Sequence, residues 1–299
     1  MENKKIAMKV SITTIIANTL LSIIKFIAGI LAHSGAMISD AIHTISDVIS
    51  TIVAMIGVAI SNKKEDKEHQ YGHEKFECIA SILLAVLLFI TALEIGIEGI
   101  TKIIDGSYVD LEAPGLLAIV AAVISIITKE WMYQYTIRNA RKIKSSALEA
   151  DAWHHRSDMV SSLGALIGIG LSILFNPAFD IVAAVVIAIF IAKVAIKIFK
   201  DATDKIVDKS CDPEMIKEIK RITLEQEGVL RIDDIKTRQF GMKAYVDIEI
   251  SADGNKTLNE THDIAEKVHN EIEKEFPIVK HCMVHVNPYE EKRKKWKRH

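Results

Sequence analysis

Apolar residues fall along this chain in long runs separated by short polar intervals as far as Phe199, and in short periodic groups beyond it. A hydrocarbon layer of about 30 Å takes roughly 20 helical residues, each rising about 1.5 Å. Six runs meet that length: Met8–Ala32, Ala36–Ile60, Phe76–Ile104, Pro114–Ile137, Ala147–Phe175 and Pro177–Phe199. Backbone groups in lipid must be satisfied within their own segment, so each run is predicted as a helix. Pro114 and Pro177 stand where a helix start tolerates proline. After Asp208 the pattern shortens. Pro213–Glu227 reads as an amphipathic helix opened by Asp212, and Arg231–Phe240 and Met242–Ser251 as strands around Gly241. Leu258–Phe276 has helical spacing and stops at Pro277, and Ile278–Val286 is a last strand. The order αββαβ predicts a small α+β domain with its helices on one face of a sheet.

The expected organisation is therefore a six-helix, all-α membrane domain over residues 1–207, an αββαβ domain over 208–289, and a basic tail over 290–299 without a fold. Composition agrees. Of 299 residues 49% are hydrophobic, too apolar for an ordinary soluble protein, yet 25% are charged, too many for one buried wholly in lipid. A net charge of −2 gives no reason to expect a nucleic-acid partner. Cys78, Cys211 and Cys282 are odd in number and far apart, which argues against a disulfide framework and fits a reducing compartment. The first apolar run exceeds a signal-peptide core, so no cleavable signal is expected. Lys4, Lys5 and Lys9, then Lys63, Lys64 and Lys67, then Arg138, Arg141, Lys142 and Lys144 fall on one side of the spans. The connectors His33–Gly35, Asp105–Ala113 and Asn176–Phe179 are neutral or acidic. The positive-inside rule then puts both termini in the cytoplasm.

Ionisable groups at bilayer depth cost a few kcal/mol each and are functional candidates by default. His43 and Asp47 lie in the second span, His154 and Asp158 in the fifth. Each pair is spaced i, i+4, which places both side chains on one helix face. Two such faces turned together give two imidazoles and two carboxylates around one point, a four-coordinate site suited to zinc. A histidine on its own is more often a hydrogen-bonding helix contact; two matched pairs favour the metal. Two aspartates balance either one divalent ion or two imidazoliums, so the site can exchange one metal for as many as two protons.

The segments Ser39-Asp40-Ala41-Ile42-His43-Thr44-Ile45-Ser46-Asp47 and Trp153-His154-His155-Arg156-Ser157-Asp158 resemble the transport-site signatures of the cation diffusion facilitators. The resemblance runs from the first span to about Pro288. It implies a homodimer in a plasma (inner) membrane that moves metal by alternating access, and a ferredoxin-like cytoplasmic domain. Histidine and aspartate in both motifs imply zinc as substrate, with manganese or iron as alternative cargo and protons as counter-ions. Asp66, His69 and His73 resemble the family's loop metal site, with Glu68 or Glu74 as further ligands. Lys75 and Asp208 resemble a charge interlock between the third span and the second domain. His262 and His285 align with cytoplasmic ligands. Asp233, Glu249 and Asn287 stand where members with a two-ion cluster have other ligands, so a weaker or single-ion structural or regulatory site is implied.

Several polar residues are expected to play lesser parts. Asp40 is a candidate entry or exit residue, and His155 and Arg156 are expected to pair within the bundle. Glu94 and Glu98 serve either helix contacts or a water-filled funnel. Lys193 and Lys197 are expected to snorkel, and Trp131, Tyr133 and Tyr135 to form an aromatic belt. Cys211 and Cys282 are expected as small hydrophobes. The absence of a GxxxxGK[ST] phosphate loop disfavours a primary pump. An intramembrane metalloenzyme, with Glu149 as the one tempting base, and a non-transporting metal sensor remain the rivals of another class.

Overall fold

In the computed structural model of the chain, residues 2–31, 35–105, 116–174, 178–241 and 243–289 are described. Pro114, Pro177, the connectors' residues His33, Asn176 and 106–113, and the tail 290–299 lie outside them. Six long helices come first: α1 (Glu2–Leu31), α2 (Gly35–Ser61), α3 (Lys75–Asp105), α4 (Leu116–Ile143), α5 (Ser146–Leu174) and α6 (Ala178–Ile206). They have 27 to 31 residues, about 40–47 Å of axis, enough to cross a hydrocarbon layer with margin. Among the described residues two stretches are both long and apolar enough for that by composition, Asn3–Ala28 and Lys75–Thr101.

The exposure pattern of the bundle is reversed relative to a water-soluble one. On α1, Ser11, Thr14, Asn18, Ser22 and Lys25 follow one another at three- and four-residue steps, and all are buried. Ile12, Ile16, Ile23 and Ile27 on the same helix are about half-exposed. Likewise Thr44, Asp47 and Thr51 of α2, Lys129 and Thr136 of α4, and Asp151, His154 and His155 of α5 are inside. An apolar outside around a polar inside is the arrangement that lipid, not water, stabilises. α1 packs along α2 and α4, α5 along α2, α3 and α4, and α2 against α3. At the α2–α3 contact a Cβ on Gly57 would collide with the Ala80 Cβ, so the close approach of these helices depends on that glycine.

The chain divides into two compact units, Met1–Thr203 and Asp204–His299. In the second, α7 (Pro213–Glu225), β1 (Arg231–Phe240), β2 (Lys243–Ala252), α8 (Leu258–Glu275) and β3 (Val279–Pro288) follow in order. The sheet order is β1-β2-β3, with β1 antiparallel and β3 parallel to β2. Val246, Ile248, Ile250 and Ala252 alternate toward one face of β2 and meet Ile219 and Ile222 of α7 and Ile264, Val268 and Ile272 of α8. The helices thus cover one face, as the alternation predicts. Pro213 starts α7 at its first turn, and a capping box of Thr257 and Glu260 starts α8. A register shift between Ile232 and Asp234 leaves Asp233 out of the pairing.

Gly228, between α7 and β1, has φ +96°, and a Cβ there would lie 2.8 Å from Ile264 Cγ1 in the core. Gly228→Ala is expected to cost about 2 kcal/mol through backbone strain and overpacking. In the full-length protein, the thermal midpoint of the C-terminal unit should fall by about 10 °C, read by hydrogen exchange of its core strands.

Candidate metal sites

Asp47 of α2 and His154 and Asp158 of α5 present donor atoms that all lie within 4.8 Å of one another. His154 Nε2 is 3.4 Å from Asp47 Oδ1. That is about the edge of a tetrahedron around an ion with bonds of about 2.0–2.1 Å. The i, i+4 spacing on α5 sets His154 and Asp158 on the face turned to α2. His43 and Asp40 lie one and two turns before Asp47 on the same helix; their side chains are outside the described residues.

A fourth group occupies the centre. Lys129 of α4 is buried, and its Nζ donates to Asp47 Oδ2 at 2.6 Å and to Asp158 Oδ2 at 2.8 Å. The ammonium bridges the two carboxylates that the sequence pattern assigns to metal. Lys129 was not singled out from the sequence, although a lysine in the interior of the fourth apolar run is itself the signal. The same signal marks Lys25 of α1, which donates to Thr44 Oγ1 at 3.0 Å. A cavity of about 360 Å³ opens beside these groups, lined among others by Lys25, Asp47, Glu94, Glu98, Lys129 and Asp158. Glu94 and Glu98 thus line this cavity.

Around the centre some of the remaining polar groups are paired within the bundle, while both ring nitrogens of His155 and the Ser157 hydroxyl lack a hydrogen-bond partner among the described residues. Asp151, another buried carboxylate that the sequence reading passed over, accepts from Thr51 Oγ1 at 3.0 Å. His155 Nε2 stands 3.6 Å from Asp151 Oδ2. Arg156 Nη1 donates to both oxygens of Glu130 at 2.8 and 3.0 Å. Its guanidinium lies over the Tyr133 ring, 4.5 Å from the centroid. This corrects the expected aromatic belt. Trp131 and Tyr135 stack on each other, with Trp131 about half-exposed, but Tyr133 is buried against Trp153, because a phenol ring can shield an arginine inside the bundle.

The connector between α2 and α3 brings Asp66, His69 and His73 together. Asp66 Oδ1 is 3.4 Å from His69 Nδ1, and its Oδ2 is 3.4 Å from His73 Nε2. The backbone N–H groups of Glu68 and His69 donate to Asp66 Oδ1 at 3.1 and 2.8 Å, an Asx-type turn that fixes the carboxylate. The Lys63 ammonium, 2.9 Å from Oδ2, and the His69 N–H hold the Asp66 carboxyl well below its usual range. It is therefore ionised wherever the histidines are neutral and able to ligate. The two rings lie 4.5 Å apart, and that of His73 stacks on Phe76.

The C-terminal set is not gathered within one chain. Asp233 is engaged within the protein: Arg231 donates to Oδ1 at 2.7 Å, and Ser251 Oγ and Asn287 Nδ2 donate to Oδ2 at 2.6 and 3.1 Å. Partial burial pushes this carboxyl up, but the bonds from Ser251, Arg231 and Asn287 outweigh it and hold it low. Glu249 and His285 are direct neighbours across β2 and β3 and share a depression with Asp234, Asp247 and Met283. His262 is exposed on α8 and belongs to none of the converging clusters found among the described residues. Cys211 and Cys282 are buried, and burial, with Glu273 and Asp247 nearby, pushes the Cys282 thiol up to about 12. Lys75 opens α3, and Asp208 follows α6 with a left-handed backbone, φ 63°.

Comparison with known proteins gives two adjoining family matches. The cation efflux transmembrane domain matches residues 11–207, and the cytoplasmic domain of cation efflux proteins matches 211–289. The manganese efflux system protein MneP of Bacillus subtilis (strain 168) is 35% identical over 295 residues, 96% of this chain and 98% of that one. Manganese efflux system protein MneS of the same organism is 32% identical, covering 94% and 96%. Magnetosome protein MamB of Magnetospira sp. (strain QH-2) is 32% identical, covering 88% and 89%.

Lys129→Met removes the cation between the buried Asp47 carboxylate and the partly buried Asp158 carboxylate. It should destabilise the metal-free protein by about 3–5 kcal/mol. Saturating zinc should then raise the melting temperature of the variant by more than that of the wild type. Equal zinc-induced shifts would show that Lys129 and metal do not contend for these oxygens.

Proposed function

The chain belongs to the cation diffusion facilitators, a family of divalent-metal efflux transporters and not of enzymes, and from that premise we propose that it exports zinc from the cytoplasm in exchange for protons. The observation that carries the reading is the convergence of Asp47, His154 and Asp158, from two helices, in the buried interior beside a polar cavity. Two carboxylates and an imidazole suit a borderline ion such as zinc. His43, one turn from Asp47, completes a four-ligand set in this reading.

Lys129 changes the charge balance. Two ionised aspartates and one ammonium leave the empty site at −1, and a proton on His154 brings it to zero. A divalent ion neutralises the aspartates alone, so its arrival displaces the ammonium toward Glu94 and Glu98 across the cavity. Lys129 then stands in for one of the two protons that the aspartate count alone suggests, and the expected exchange is one proton per metal. The Asp66–His69–His73 cluster serves as a loading site at the cytoplasmic mouth, since Lys63, Lys64 and Lys67 beside it mark that side of the membrane. The multi-pass chain works as a homodimer with both termini in the cytoplasm; the uncovered face of the β1–β2–β3 sheet, where Met283 is 56% exposed, is the natural contact.

A second cargo has its own support. MneP and MneS are named for manganese efflux, and a site with two carboxylates and water also accommodates manganese. Zinc and manganese flux into proteoliposomes under an imposed pH gradient separates the two. Zinc flux is expected to exceed manganese flux, to stop when the gradient is collapsed, and to be lost in Asp47→Ala and Asp158→Ala. Flux indifferent to the gradient would refute the antiport, and preference for manganese would transfer the reading to that ion.

A further inference from the structure

The C-terminal unit carries another group of metal-competent side chains, apart from the transport centre, the loop cluster and the Asp233, Glu249, His262 and His285 set. His269 and Glu273 stand one turn apart on α8 and share a face. His281 approaches from β3, the edge strand beside that helix. His269 Nε2 is 3.3 Å from Glu273 Oε1, and His281 Nδ1 is 3.4 Å from the same oxygen. The imidazoles meet edge to face with centroids 5.4 Å apart, and the three donor atoms lie within 4.8 Å of one another. Zinc bonds of about 2.0–2.1 Å make ligand–ligand edges of about 3.4 Å, so two edges of a tetrahedron already have their length.

Hydrogen bonding orients the set as it orients metal ligands. His269 Nδ1 lies 2.6 Å from the Cys282 carbonyl oxygen, so Nδ1 carries a proton and donates it. In the neutral ring this leaves a lone pair on Nε2, directed at a carboxylate oxygen. Two lone pairs at that distance call for a positive charge between them, a proton or a metal. An outer N–H given to a backbone carbonyl is also the contact that fixes a ligating imidazole. The Cys282 N–H donates to Glu273 Oε1 at 3.0 Å and anchors the carboxylate. A purely structural use of His269 and Glu273 is to satisfy the Cys282 peptide groups at the sheet edge. That use requires neither His281 nor a charge on Glu273.

We propose that His269, Glu273 and His281 form a divalent-cation site, with zinc as the fitting ion and its fourth position taken by water. The side chains are 31%, 31% and 45% exposed, so the ion exchanges with solvent. Three protein ligands and an open position distinguish such a site from a closed structural one. By joining α8 to β3, occupancy stiffens the helix against the sheet edge, and the site reports the metal level to the C-terminal unit.

The test uses full-length protein in detergent, stripped of metal, with zinc titrated against a chromophoric chelator at pH 7. Wild type is compared with His281→Ala, which keeps both Cys282 bonds, and Glu273→Gln, which keeps an acceptor for the Cys282 N–H. Each variant should bind one zinc fewer per chain. Zinc should slow amide exchange at Cys282 and Met283 in the wild type and leave it unchanged in the variants. The same number of zinc equivalents in all three proteins, or wild-type exchange at the edge strand indifferent to zinc, overturns the site. Neither readout depends on transport, so loss of the antiport reading would leave this result standing.

Discussion

Two ionised carboxylates facing each other inside a membrane bundle need a positive charge between them, and in this structure the Lys129 ammonium supplies it. Asp47 and Asp158 come from different helices, and without a positive charge their burial would oppose the packing of α2 against α5. Lys129, reaching from α4, ties three helices at one point. A buried pair of this kind adds little net stability over an apolar core, while breaking it costs several kcal/mol. It therefore acts less as glue than as a condition. Something positive must always be there, and a metal ion satisfies that condition as well as a lysine does.

The same logic recurs outside the bundle. Asp66 holds Lys63 while two imidazoles stand beside it, so a cation entering the loop again meets a carboxylate already paired with an ammonium. At Glu273 two imidazole nitrogens converge on one oxygen instead. The clusters differ in what an incoming ion must displace: a tethered lysine in the first two, a proton in the third. Affinity at each is then set as much by the resident competitor as by the ligands.

Much of the fold was legible because lipid and a small sheet both write strong periodic patterns. Six long apolar runs and the alternation of Val246, Ile248 and Ile250 leave little choice of element. The pairing of Asp47 with His154 and Asp158 was legible too, since i, i+4 spacing on two helices fixes which faces can meet. Lys129 was overlooked because it has no partner at helical spacing; its role exists only across helices. Tyr133 was misplaced for a related reason. Its neighbour Arg156 is 23 residues away in the chain, and sequence position alone suggests an interface. His269 and Glu273 do carry i, i+4 spacing, but on an exposed helix that pattern is ordinary, and His281 joins them only because β3 lies at the sheet edge. In the second domain, Asp233 illustrates the opposite limit: a residue of ligand type whose oxygens are already taken by Arg231, Ser251 and Asn287.

The decisive observation is the position of Lys129 when metal is bound. A zinc-loaded structure of the full-length protein, with the ion located by anomalous scattering, should show zinc held by Asp47, His154 and Asp158. The Lys129 Nζ should then have left both carboxylates for the side of the cavity bearing Glu94 and Glu98. Zinc found elsewhere in the bundle, with the lysine still bridging the two aspartates, would contradict the account.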